Sequence, residues 1–239
     1  LFILMTQVNF AQEEISLNGD WEIVFDHNNE GAPSMWHQNE VFQQLVDKRK
    51  IKVPSSWELI EKDYEGVAFY RYAFDVPKEW QSKIVRLQFD AVNYLSEIWL
   101  NDEVVGYHEG GFTPFEFRVD NMIKTGEENV LILRVVGPII LSDKNINGIK
   151  ALETPQWRGG LSGGIWQNVK LVASGTSYIK DVFIEPNIKD NTATFHLTLD
   201  HTAIKRESVE IEIELTETVN QKNKVAAQRV SIQLQPGIN

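Results

Sequence analysis

The 239 residues contain no cysteine, which excludes disulfides, thiolate chemistry and cysteine-based zinc sites. That absence leaves the cellular compartment open. No basic run occurs either: 23 Lys and Arg face 34 Asp and Glu, for a net charge of −11. Nucleic acid, whose phosphates demand Lys/Arg patches, is therefore a poor partner. No apolar stretch is long enough to span a bilayer. The histidines, His27, His37, His108, His196 and His201, show no metal-ligand spacing. No dense Asp/Asn loop suggests Ca2+, and no glycine motif cradles a phosphate. Neither metal nor cofactor is expected.

Sustained helical periodicity is also nearly absent, and apolar/polar alternation dominates. Strands are expected at Trp21–Asp26, Ile51–Val53, Phe69–Val76, Ile84–Asp90, Ser96–Val105, Phe115–Val119, Asn129–Val136 and Ile165–Val172. One short helix is expected between Pro33 and Lys50, where Val41/Leu45 and Phe42/Val46 pair at i,i+4. The hydrophobic fraction of 42%, with 12 Phe, 7 Trp and 6 Tyr, can fill a substantial core. Trp21, Trp99 and Trp166 lie in expected strands and are assigned to packing. A second region begins near Tyr178, with strands at Tyr178–Ile184, Thr194–Asp200, Ser208–Thr216 and Arg229–Gln235. In Val209–Leu215 four apolar residues alternate with three glutamates, the pattern of a half-buried antiparallel strand. Tyr178 to Asn239 falls short of the ~100 residues of a complete immunoglobulin-like sandwich, so the second sandwich reads as incomplete.

At the N-terminus Leu1–Met5 is a short apolar run followed by an Ala11-Gln12 junction. It reads as the remnant of a signal peptide over residues 1–12, which implies export to the periplasm or cell surface.

The most informative segment is Ser96–Phe117, SEIWLNDEVVGYHEGGFTPFEF. Ile98 and Leu100 point one way and Trp99 the other. Asn101-Asp102 is turn chemistry, since both residues tolerate left-handed backbone. Gly106, Gly110, Gly111 and Pro114 then break the chain into a bent corner of the kind all-β sandwiches use between sheets. His108 and Glu109 are adjacent but point to opposite faces of a strand, which favours a structural role.

This segment resembles the W-L-N-G-x-x-V-G-x-H-x-G-G-aromatic-x-P-F signature of the family 2 glycoside hydrolases. Four more segments are similar to that family in the same order: Leu17–Trp21 (LNGDW), Val53–Glu58 (VPSSWE), Phe69–Pro77 (FYRYAFDVP) and Gly163–Val169 (GGIWQNV). The last carries Gln167 where the family usually has Arg. The resemblance implies an N-terminal jelly-roll sugar-binding domain, galactose-binding-domain-like, at residues 13–175. It also implies an immunoglobulin-like domain, incomplete, at residues 176–239. The family includes β-galactosidases, β-glucuronidases and β-mannosidases, which hydrolyse glycosides with retention. Their two catalytic glutamates sit on a (β/α)8 barrel after the second domain, and retention needs the carboxyls ~5–5.5 Å apart. Nothing after residue 178 reads as βαβ, so no catalytic residue is expected in this chain.

The resemblance further implies that two jelly-roll loops reach toward the sugar. By position these are Asp63, Tyr64 and Glu65 before one strand, and Gln156, Trp157 and Arg158 before another. β-Galactosidases present an Asn and an Asp at these places. Glu65 and Pro155/Gln156 stand nearest here, so a galactose contact does not transfer directly. Trp57, Tyr64 and Trp157 have turn-like neighbours and could stack on the C–H face of a pyranose. Gly163-Gly164 and Gly159-Gly160 read as close backbone approaches. The expected role is the accessory region of a β-glycosidase, shaping the active-site rim. The alternative is a free carbohydrate-binding module. The expected partner is a β-linked glycan, and an oligomer is open.

Overall fold

The computed structural model describes residues 12–140, 142–146, 162–216 and 224–239. They fold as two compact units, Glu14–Ala173 and a second that contains Ser174–Asn239. Among the described residues no helix is long and apolar enough to cross a membrane.

The larger unit runs β1 (Glu13–Ser16), β2 (Gly19–Asp26), helix α1 (Asn39–Gln44), β3 (Arg49–Val53), β4 (Val67–Asp75), β5 (Ile84–Phe89), β6 (Leu95–Leu100), β7 (Glu103–Glu109), β8 (Phe115–Arg118), β9 (Glu128–Val136) and β10 (Val169–Ser174). A six-stranded sheet has the order β3-β2-β4-β9-β6-β7, and a four-stranded sheet has the order β1-β10-β5-β8. The six-stranded sheet is antiparallel throughout. Two sheets face each other over one apolar core, as sandwiches do.

Strand alternation explains which residues fill that core. Trp21, Ile23 and Phe25 of β2, Ala68 and Tyr70 of β4, and Leu131, Leu133 and Val135 of β9 point inward. They meet Val85, Leu87 and Phe89 of β5 from the opposite sheet. Trp21 and Tyr72 stack at 4.8 Å between ring centres. The outer face of β4 and β9 is buried as well. Val67, Phe69, Val130, Ile132 and Val136 form a second cluster with Phe42 of α1, against which Trp36 and Leu45 pack. Strands covered on both faces read as continuous apolar runs, which is why Val130–Val136 shows little alternation.

The helix is shorter than its pattern suggested. Phe42 is its only buried residue, and Val46 is 90% exposed. The helix is held from outside: Asp102 Oδ1 accepts the Asn39 N–H at 2.7 Å, and Arg71 Nε donates to Asn39 Oδ1 at 2.7 Å. Two ion pairs join strands of the six-stranded sheet, each with a buried or nearly buried guanidinium and a more exposed carboxylate. Arg71 meets Glu22 at 2.9 Å and Arg134, fully buried, meets Glu97 at 2.5 Å. Each joins neighbouring strands in register, Glu22 opposite Arg71 and Glu97 opposite Arg134.

The β6–β7 hairpin turns at Asn101 and Asp102, with φ of 54° and 68°, the left-handed pair of a two-residue hairpin loop. Asn101 also ties the turn to the core edge. Its amide donates to Met122 O and Asn129 Oδ1, both at 2.8 Å, and its carbonyl oxygen accepts Val130 N–H at 3.0 Å.

The smaller unit pairs β11 (Ser177–Asn187) with β12 (Thr192–His201), which also meets β15 (Gly237–Ile238). A second sheet pairs β13 (Glu207–Thr216) with β14 (Lys224–Leu234). Leu199, Val209, Ile211 and Leu234 form its buried core. The alternation in Val209–Leu215 holds in its first half: Val209 and Ile211 are buried and Glu210 is exposed, whereas Glu212–Leu215 are all half-buried and Glu212 turns to Arg229 at 3.0 Å. His201, also buried, contacts Ser177 Oγ at 2.7 Å and Lys205 O at 2.6 Å.

Candidate functional site

Loops that leave β3, β5, β7 and β9 converge at one end of the larger unit. Backbone hydrogen bonds lace them together. Gly137 N–H donates to Gly66 O at 2.9 Å, and Trp57 N–H to Gly163 O at 3.0 Å. Asn93 and Gly164 exchange both bonds, at 2.9 and 2.8 Å. Gly110 N–H donates to Tyr94 O at 3.1 Å, and the Trp166 indole N–H donates to Gly111 O at 2.8 Å. A loop end with its own amides paired in this way is preorganised, because few buried backbone groups are left to seek partners.

Trp57 is the keystone of this end. Its turn-like neighbours suggested exposure, but its ring is fully buried. Gly137 and Gly163 close over it: a Cβ at either position would stand 2.3 or 2.2 Å from the ring. Gly164 lies over Tyr70 with φ of 107°, a conformation open to glycine. The expected close backbone approach at Gly163-Gly164 is therefore an approach to aromatic rings.

The three expected residues of the first loop divide by position. Asp63 is exposed, with φ of 55°. Its N–H donates to Glu58 Oε2 at 2.7 Å. The Glu58 carboxyl is raised above its ordinary value, mainly by burial and further by the nearby Asp63 charge, while the Asp63 N–H bond opposes the rise. Tyr64 is turned inward and is 7% exposed. Its ring meets Phe25, His27 and Trp57 edge-on at 4.9, 5.2 and 5.6 Å. Its hydroxyl donates to Val67 O at 2.8 Å, and burial pushes its ionisation well above the usual tyrosine range. Glu65 is 4% exposed. Its carboxylate accepts the Ile140 N–H, and its carbonyl accepts Lys144 Nζ at 2.6 Å. Glu65 thus clamps the loop after β9 to the loop before β4. Gln156, Trp157 and Arg158 lie outside the described residues.

The surface of this end is carried by other side chains. Asp143, Lys144 and Asn145 are exposed beside the Glu65 clamp. Phe112 is 53% exposed, and its ring stands edge-on to Trp166 at 5.4 Å. Trp166 precedes the start of β10 rather than lying within a strand. Tyr94 donates to Glu109 Oε1 at 3.0 Å. Sequence reasoning passed over Phe112, although an aromatic directly after Gly110-Gly111 is a usable signal of a presented ring. The His108 ring stacks on Phe115 at 4.0 Å, with Thr113 Oγ1 at 3.3 Å from Nε2. Burial holds His108 below its ordinary value, against the opposing influence of a Gly110 hydrogen bond and the Glu109 charge.

Chemically, this end offers exposed amide, carboxylate and ammonium groups on one loop and an exposed aromatic ring on another. Such a mixture suits hydroxyl-rich ligands with an apolar face. The buried carboxylate of Glu65 is committed to an amide and so holds a loop in place.

Residues 60–174 match the profile of "Glycosyl hydrolases family 2, sugar binding domain". A β-galactosidase of Thermoanaerobacter pseudethanolicus is 30% identical over 231 residues, which are 96% of this chain and 28% of that protein. A β-glucuronidase of Bacteroides fragilis is 28% identical over 142 residues, 56% of this chain and 18% of that protein. In structure, a Bacteroides uniformis β-glucuronidase superposes with a TM-score of 0.72 at 21% identity, covering 95% of this chain and 26% of its own. A Ruminococcus gnavus β-glucuronidase gives 0.71 at 22% identity, covering 98% and 40%. At these identities the structural likeness speaks to fold. The chain spans less than a third of the two relatives matched by sequence.

Proposed function

We propose, given that this chain carries the sugar-binding domain of the family 2 glycosyl hydrolases, that it is the accessory region of a retaining β-glycosidase. Its larger unit forms one wall of the active-site rim. The two carboxyls for retention, ~5–5.5 Å apart, come from a catalytic (β/α)8 barrel outside these residues. The substrate is a β-linked glycan.

One observation carries this reading. The sugar-binding match, residues 60–174, takes in the loops whose amides interlock at one end of the sandwich, from Gly66 through Asn93 and Gly110 to Gly164. The chain holds a prepared surface there, and the buried carboxylate of Glu65 is engaged in holding a loop. On this reading the chain by itself does not cleave a glycosidic bond. Incubation with chromogenic β-galactosides, β-glucuronides and β-mannosides tests this: turnover above the enzyme-free rate overturns it.

The apolar run Leu1–Met5 supports export as part of the same proposal. Fractionation of the producing cell tests it, with recovery from the cytoplasm alone as the contrary result.

A further inference from the structure

At the other end of the four-stranded sheet lies a cleft that the rim does not use. It occupies about 470 Å³ between the turn before β5 and the segment after β8. We propose that this cleft is a second ligand site, taking a neutral polyhydroxyl group such as a single hexose unit.

The lining has the composition such a ligand asks for. Trp80, 2% exposed, forms an apolar wall. Gln81, Ser82, Asp120 and Asn121 supply planar or hydroxyl hydrogen-bonding groups around it. Vicinal hydroxyls are recognised by side chains that donate and accept side by side, and amides and carboxylates do both jobs between them. Two cations, Lys83 and Arg118, and one carboxylate, Asp120, line the cleft. Arg118 donates two parallel bonds to Asp120, Nε to Oδ1 at 2.5 Å and Nη2 to Oδ2 at 2.9 Å. A guanidinium forked onto its own carboxylate is a weak anion receptor but leaves that carboxylate's remaining lone pairs to accept hydroxyls. Beside the Gln81 and Asn121 amides, those lone pairs suit the cleft to a polyol, with sulfate as the competing occupant.

The walls are also fixed in advance. Gln81 N–H donates to Lys78 O and Lys83 N–H to Trp80 O, both at 3.0 Å. Ser82 holds φ of 69°, a left-handed backbone that a non-glycine residue adopts only where its surroundings enforce it. On the facing side, Met122 and Ile123 N–H both donate to Val119 O, at 2.9 and 3.0 Å. A preformed cleft loses little conformational freedom on binding.

The position separates this site from the rim. β5 begins at the cleft with Ile84 and ends at Phe89 beside the rim segment Asp90–Tyr94. Six extended residues put roughly 20 Å between them. The cleft would hold a sugar other than the one presented at the rim, and it tethers glycan rather than positioning a scissile bond. This proposal stands apart from the rim reading.

Amide chemical-shift mapping of the chain, titrated with methyl β-galactoside, β-glucoside and β-mannoside, tests it. Saturable shifts at Ser82, Asp120 and Asn121 are expected for at least one of these probes. Asn121→Ala, an exposed change that leaves the fold intact, should weaken that response about tenfold, and Asp120→Asn should do the same. Shifts confined to Gly66, Ile140 and Lys144 would overturn the second site while leaving the rim reading in place. An absence of saturable shifts at the cleft into the high millimolar range, or unchanged affinity in both variants, would also overturn it. Inorganic sulfate competing for the cleft would contradict its neutral character.

Discussion

The carboxylate of Glu65 accepts the backbone N–H of Ile140, a residue 75 positions away in sequence. The same residue's carbonyl accepts Lys144 Nζ, so one buried side chain and its own backbone hold two points of the segment after β9. Glu65→Ala leaves that amide without its charged acceptor. It should lower unfolding stability by about 1–3 kcal/mol and speed amide exchange across Ile139–Ile146. Unchanged exchange there would show that the clamp is not what holds the loop.

Gly163 is a second point at which the rim is fixed. An added methyl would fall 2.2 Å from the fully buried Trp57 ring, and the backbone N–H of Trp57 is itself bonded to Gly163 O. Neither partner can move freely, so Gly163→Ala should destabilise the larger unit by about 1–3 kcal/mol. Thermal unfolding of this variant beside wild type reads the effect directly. An equal melting temperature would mean that the ring relocates at no cost.

Asn101 combines a left-handed backbone with three hydrogen bonds to the chain from Met122 to Val130. Asn101→Ala removes the bonds and adds backbone strain, and should cost about 2–3 kcal/mol. Asn101→Gly keeps the backbone geometry and should recover the strain part alone. Urea unfolding of the two variants separates the contributions, and equal losses would argue that the side-chain bonds carry the whole effect.

A pH dependence follows from His108. Burial, the largest influence, lowers its folded pKa below the ordinary 6.5. The unfolded chain therefore binds the proton more readily, and stability rises with pH wherever the unfolded state holds more protons. The contribution is fully present above pH 6.5 and is lost as pH falls from there through the folded value. His108→Gln should flatten the wild-type decline in stability between about pH 7 and pH 5. A parallel decline in both proteins would assign the effect to other groups.

How much of this was legible in the sequence depends on the range of the interactions involved. The turn at Asn101-Asp102 and the first half of the alternation in Val209–Leu215 rest on neighbours two residues apart or fewer, and both appear as expected. Strand β9 was also found, although its alternation is hidden by helix α1 and Trp36 on its outer face. The rim was harder to read. Trp57 and Tyr64 sit among turn residues, which locally signal exposure. Their burial comes from Gly137, Gly163 and Phe25, far away in sequence. Glu65 is buried for the same reason, with its partners at Ile140 and Lys144. Gly163 was recognised as a close approach, but Gly137 was not, nor was the ring that both approach. Phe112 and Asp143, which face outward at this end, left only weak local signals.

The most direct test of the rim proposal uses a protein in which this chain is followed by a catalytic domain, as that proposal requires. Asp63→Ala and Phe112→Ala change exposed groups at the rim, and Val104→Ser changes an equally exposed residue on the edge strand β7. The rim account predicts that kcat/KM for a β-glycoside falls about tenfold in at least one rim variant, with folding intact, and is unchanged in Val104→Ser. Identical kcat/KM in all three variants and wild type would contradict it.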